Sequence, residues 1–171
     1  MRATLFAAVA VLSLGAQAPA AAPKADPFAA LRFLAGEWRG EGEGKPGQST
    51  GQASFRFDLD GKVLVRRSHA DYPAANGRPV ARHEDLMTFF VEGGQLKALY
   101  LDNEEHVIRY LVTEAPSGVA FTSDAGPGPR FRLTYLKGAE AGRVTLRFEI
   151  APPGKPEAFA TYLEGAMRKV P

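Results

Sequence analysis

Three histidines, His69, His83 and His106, carry whatever imidazole chemistry this chain has, and each lies in or beside a run of alternating apolar and polar residues. In an extended strand, side chains two apart share a face. Arg67 therefore projects with His69, His83 with Asp85, and His106 with Ile108 and Tyr110. If those faces turn inward, Arg67, His69, His83, Asp85 and Tyr110 meet among Val63, Val65, Met87 and Phe89, with Tyr100 a further candidate. An apolar wall holding a few polar groups is how small-molecule pockets are built. A guanidinium beside an imidazole would then suit a small amphipathic molecule with an anionic end. The opposite face of the same strands carries Leu64 and Leu86. Periodicity therefore leaves open the other arrangement, in which these polar groups line the outside and pair with neighbouring carboxylates.

Other chemistries find less support. Two histidines and a carboxylate from His69, His83, Asp85 and His106 would hold a metal only if strand register assembled them, because no two lie at a short ligand spacing. No metal site is expected. The run Asp102-Asn103-Glu104-Glu105-His106 sets carboxylates near an imidazole, the raw material of general base catalysis and equally the make-up of a solvated hairpin loop. Ser123-Asp124 lacks a Gly-x-Ser-x-Gly elbow, and the glycines between 36 and 44 lead into a strand, not the helix a phosphate loop requires. The chain has no cysteine, which removes disulfides, thiolate nucleophiles and cysteine-held metals. The expected role is binding, without catalysis.

The elements that must position these residues are strands. With 171 residues, 45% of them hydrophobic, and 21 Lys and Arg against 19 Asp and Glu, the chain has the make-up of one ordinary globular domain. Ala53, Phe55, Phe57 and Leu59 alternate with polar residues, Asp60-Gly61 is a two-residue hairpin signal, and Val63 and Val65 follow. Val144, Leu146, Phe148 and Ile150 alternate as clearly. Similar segments near 37–44, 81–91, 95–102, 106–113, 119–123, 130–137 and 158–169 are separated by Gly-, Pro-, Asn- and Asp-rich breaks. About ten strands with hairpin-length connections predict an all-β fold, a single antiparallel closed barrel, since closure removes both sticky edges. Arg130, Arg132, Arg143, Arg147, Arg168 and Lys169 alternate with Phe131, Leu133, Val144 and Phe148, so they project into solvent as edge-protecting charges. With a net charge of only +2 and no aromatics interleaved on that face, nucleic acid is not an expected partner.

At the amino terminus, Arg2, the apolar run Ala3 to Leu14 and the small residues Gly15 to Ala20 read as a secretory signal peptide spanning 1–20. Pro19 disfavours cleavage after Ala18, and Ala20-Ala21 supplies the small pair instead. The apolar run is too short to span a bilayer, so a secreted or periplasmic protein without stable membrane insertion is expected. Residues 21–27 form a flexible leader, and 28–171 the barrel domain. Asp26-Pro27 caps a short amphipathic helix whose Phe28, Leu31 and Leu34 cover one barrel end.

Gly36-x-Trp38-x-Gly40-x-Gly42-x-Gly44, reached through Phe33-Leu34-Ala35, resembles the first strand of calycin-type, lipocalin-like barrels, and more narrowly that of nitrobindin-like haem-binding barrels and related bacterial secreted proteins of unknown function. Gly77-Arg78-Pro79 followed by His83-Glu84 is similar to the approach to a middle strand of that group. The resemblance implies a calycin barrel with Trp38 closing one end and, as an alternative function, a haem-binding protein or a haem-dependent detoxifying enzyme. In that family the iron is held by a histidine on the final strands, whereas residues 143–171 contain none and offer Tyr162 as a phenolate. A third alternative is an envelope interaction scaffold that uses the loops 72–80 or 125–130.

Overall fold

The computed structural model describes residues 25–42, 50–72, 74 and 81–171. The proposed signal peptide, the leader up to residue 24 and most of the loop 72–80 lie outside the described residues. Ten strands follow one another around a closed, wholly antiparallel barrel. They are β1 (Gly36–Gly40), β2 (Thr50–Asp58), β3 (Val63–Tyr72), β4 (Ala81–Glu92), β5 (Gln95–Asp102), β6 (Val107–Ala115), β7 (Gly118–Ser123), β8 (Arg130–Lys137), β9 (Arg143–Ala151) and β10 (Ala160–Lys169). Each strand pairs with its chain neighbours, and β10 closes on β1. The closed antiparallel barrel expected from strand count and spacing is the fold of the protein.

Closure uses a short ladder, Trp38 opposite Lys169, Arg39 opposite Arg168 and Gly40 opposite Met167. Charges reinforce it from outside. Glu41 accepts hydrogen bonds at 2.7 Å from both Arg143 Nε and Arg168 Nε, and Arg143 first, then Arg168, holds its carboxyl below the ordinary range. Two arginines expected to stand free in solvent thus clasp the seam where the sheet meets itself.

The β2–β3 turn differs from the two-residue Asp60-Gly61 hairpin expected. Asp58 pairs with Val63, which leaves four residues in the loop. Leu59 and Asp60 take positive φ of 48° and 54°, and Gly61 N–H donates to the Asp58 carbonyl at 3.0 Å. The tight turn is centred on Leu59-Asp60, one residue earlier, and Asp58 Oδ1 also accepts from Leu59 N–H at 2.6 Å.

One barrel end is sealed. Ala29–Leu34 form a 3₁₀ helix, not an α-helix, entered through Phe28 N–H donating to Asp26 Oδ1 at 3.0 Å. Leu31 and Leu34 are wholly buried, and Phe28 packs edge-on against Phe57. Trp38 lies just inside this plug and donates from Nε1 to the Leu34 carbonyl at 2.6 Å. Above it Phe55, Phe89, Phe121 and Tyr135 form a ring of stacked, tilted and edge-to-face aromatics with centroids 5.4–6.4 Å apart. Such pairs add to the burial of their large apolar surfaces. Tight packing of this half gives the polar residues above it a rigid floor.

Candidate functional site

Cross-strand pairing settles which side chains share the interior. Phe57, Leu64, Phe89, Ala98, Tyr110 and Ser123 stand opposite one another in one row, and Phe55, Arg66, Met87, Tyr100 and Ile108 in the next. Above these come Ala53, Ser68, Asp85 and Asp102, then Gly51, Ala70 and His83. The residues of the first row are buried or nearly so, which identifies this parity as the inner one. His83, Asp85, Tyr100 and Tyr110 therefore face inward, with Met87 and Phe89.

Arg67 and His69 do not join them, and this corrects the inward placement considered from the sequence. Leu64 fills the core opposite Phe89, so the inner parity of β3 belongs to Leu64, Arg66 and Ser68, and Val63, Val65, Arg67 and His69 face outward. The guanidinium inside the barrel is Arg66. Trp38 is also interior, opposite Ala53, and is buried with its indole N–H tied to the Leu34 carbonyl of the sealed end. His106 sits on the β5–β6 turn with its ring largely exposed.

Arg66 and Asp85 form the centre of the site. Arg66 Nη2 donates to Asp85 Oδ2 at 2.8 Å, and the carboxylate side chain is only 3% exposed. Burial alone would lower the pKa of Arg66, but the Asp85 charge outweighs it and the guanidinium is held more firmly protonated than usual. The pairing is incomplete, because Arg66 Nε and Asp85 Oδ1 are buried and have no hydrogen-bond partner. Such atoms are uncommon in folded proteins and costly where they occur. Tyr135 approaches the guanidinium with its ring face at 6.0 Å. Burial, above all, pushes the phenols of Tyr100, Tyr110 and Tyr135 up, so all three keep their protons.

A hydrogen-bonded chain runs outward from this centre. Tyr100 OH donates to Asp102 Oδ2 at 3.1 Å, and His83 Nε2 lies 2.9 Å from the same hydroxyl. With the phenol proton used on Asp102, the imidazole nitrogen is the donor in that pair. His83 Nδ1 meets Glu104 Oε1 at 3.0 Å, and His106 Nδ1 meets Asp102 Oδ2 at 2.8 Å. Burial would raise the Asp102 carboxyl, but donors from the His106 backbone and ring, the Glu104 backbone and Tyr100 together pull it below its ordinary value. The dense polar run after β5 therefore acts as a fastening for Asp102. That role follows from tertiary pairing with β4 and is not written in the run itself.

Around this polar layer the upper barrel wall is apolar. Ile108, Phe131, Leu146, Phe148 and Leu163 have inner parity yet remain only partly buried, and Gly51, Ala53, Ser68, Ala70 and Gly165 supply small residues on the same face. Among the described residues no helix covers this end as the 3₁₀ helix covers the other. A groove of about 510 Å³ runs along β1–β5, lined by the outward-facing Glu37, Ser54, Arg67, His69, Glu84 and Leu86 and reaching Ala53, Ser68, Asp85 and Asp102 of the inner parity. A smaller hollow of about 170 Å³ separates the start of the 3₁₀ helix from the β5 and β6 ends.

Among the described residues no group of three or more His, Cys, Asp and Glu is placed to hold a metal ion. The side chains that could ligate a haem iron are placed for other work. Tyr162 sits at the bulge between Thr161 and Leu163, is 71% exposed and packs edge-on against Phe148, outside the polar layer. Both ring nitrogens of His83 are engaged, by Tyr100 and Glu104. Neither residue fits an iron ligand within the barrel.

Fold and interior together define a ten-stranded antiparallel barrel, consistent with a calycin-like form, with a buried ion pair and a tyrosine layer across its middle. No protein-family model matches the chain, and no curated protein matches it in sequence.

Proposed function

We propose that the protein is an exported binding protein that holds one small, partly hydrophobic molecule non-covalently in the upper half of its barrel. The observation that carries this reading is the partial burial of inward-facing Ile108, Phe131, Phe148 and Leu163, which share the barrel interior with the polar groups Arg66, Asp85 and Tyr100. A molecule seated there would cover the apolar wall and meet hydrogen-bonding groups at its inner end, the combination that fixes a ligand's orientation. Export follows from reading residues 1–20 as a signal peptide. Catalysis has no support, because Tyr100 spends its single O–H on Asp102 and the two ring nitrogens of His83 are engaged by Tyr100 and Glu104.

The uncharged fluorescent probe N-phenyl-1-naphthylamine tests the reading. Its emission should rise on mixing with the protein, with a dissociation constant on the order of 1–10 μM, typical for burying one small aromatic molecule. Ala70→Trp, which fills the space facing His83, should weaken binding about tenfold or more. No enhancement with the folded wild-type protein, or enhancement unchanged by Ala70→Trp, would contradict the proposal.

A further inference from the structure

The charges facing the interior narrow the ligand class further, on the assumption that the upper barrel is the binding site. Among the described residues two groups that can carry positive charge face the polar layer: Arg66, already paired with Asp85, and the imidazole of His83, already held by Glu104 at 3.0 Å and 4.0 Å from Asp85. A second carboxylate, Asp102, has the same inner parity and a side chain only 3% exposed, and a third, Glu104, meets the outer edge of His83. Facing these groups, β3 contributes Ser68 and Ala70, and β6 contributes Ile108 and Tyr110. The outward-facing Arg67 and His69 cannot supply another positive charge. An incoming carboxylate would therefore meet two buried carboxylates, an arginine neutralised by Asp85 and an imidazole already held by Glu104. Desolvating a charge without an opposite partner is unfavourable, and placing it beside like charges is more so. A neutral polar head carries no such cost and can still hydrogen-bond with the Tyr100 hydroxyl and the guanidinium edge.

We propose that the interior selects amphipathic molecules with an uncharged polar head, such as a primary amide, over the corresponding carboxylates, because among the described residues each cationic group facing the interior, Arg66 and His83, already has a carboxylate partner. Selection of this kind makes Asp85 the specificity-determining residue. Its role is to cancel Arg66, which alone would form an anion site.

The test uses octanamide and octanoate, which differ only in the head, as competitors for bound N-phenyl-1-naphthylamine at pH 7.5. Octanamide should compete about tenfold or more better than octanoate with the wild-type protein. Asp85→Asn, which leaves Arg66 without its counter-charge, should improve competition by octanoate about tenfold and change octanamide less than about threefold. Should Asp85→Asn fail to fold, Ser68→Lys adds a cation facing Asp85 while keeping the pair, and octanoate should again gain. Stronger competition by octanoate with the wild-type protein would overturn the inference, as would an octanamide preference that neither variant alters. If the naphthylamine probe does not bind at all, the binding function itself fails, an outcome distinct from probe binding with the wrong head-group order.

Discussion

Replacing Arg66 with methionine should destabilise the barrel by about 3–5 kcal/mol, because it strands the Asp85 carboxylate in the interior without its counter-charge. The side chain of Asp85 is 3% exposed, and its only direct hydrogen bond comes from Arg66 Nη2 at 2.8 Å. Asp85 Oδ1 is already without a partner, and the nearest other cationic group, His83 Nε2, stands 4.0 Å from Oδ2, beyond hydrogen-bond distance. The double variant Arg66→Met/Asp85→Leu should recover most of that loss and lie within about 1–2 kcal/mol of the wild type, since a buried ion pair contributes little net stability against apolar residues of similar volume. Urea denaturation of the two single variants and the double variant gives the coupling directly. Near-neutral single variants would mean that the pair is solvated. The stability result also bears on function: a pair that contributes no net stability yet is present in the middle of the barrel is better understood as ligand-directed.

The second large effect lies at the opposite end. Trp38→Ala should cost about 3–5 kcal/mol, the usual range for truncating a fully buried large aromatic side chain. Trp38 is 2% exposed, and its indole N–H ties β1 to the Leu34 carbonyl at the end of the 3₁₀ helix. Loss of the ring opens a cavity under Leu31 and Leu34 and leaves that carbonyl without its side-chain donor. Trp38→Phe keeps most of the apolar volume and loses the hydrogen bond, so it should cost less, about 1–2 kcal/mol. The difference between the two variants separates packing from hydrogen bonding. If the two cost the same, the bond to Leu34 matters more to stability than the packing of the ring. Because Trp38 belongs to the floor, Trp38→Phe should leave binding of N-phenyl-1-naphthylamine nearly unchanged, which a ligand-contacting tryptophan would not.

The strands are legible in the sequence because the pleat imposes a period of two. Phe55 and Phe57 on β2, and Val144 and Leu146 on β9, alternate cleanly, and the breaks between segments carry Gly, Pro, Asn and Asp. Closure follows from counting ten such strands. The inner face of β3 is not legible in this way: Val63, Val65, Arg67 and His69 alternate as convincingly as Leu64, Arg66, Ser68 and Ala70, and a parity choice needs the partner strand. Leu64 is decisive only once Phe57 and Phe89 are known to lie beside it. Of the candidate residues, Trp38, His83, Asp85, Tyr100 and Tyr110 lie on the inner face. Arg66 gives little signal of its own, because an arginine among valines and leucines is usually solvent-facing, although Leu64 two residues before it and Met87 across from it share its face. Pairing between Asp102 and His106 is readable as proximity only. Its contribution to Tyr100 depends on β5 lying beside β4.

Backbone amide chemical shifts recorded during an octanamide titration test binding inside the barrel most directly. Perturbations should concentrate at Ala70, Tyr100, Ile108, Phe131 and Phe148, which have inner parity on five different strands and do not line the outer groove. Residues of the outer groove such as Ser54, Arg67 and Glu84 should move little. Perturbations centred on that outer groove, or on the hollow beside Ala29 and Thr113, would contradict binding inside the barrel.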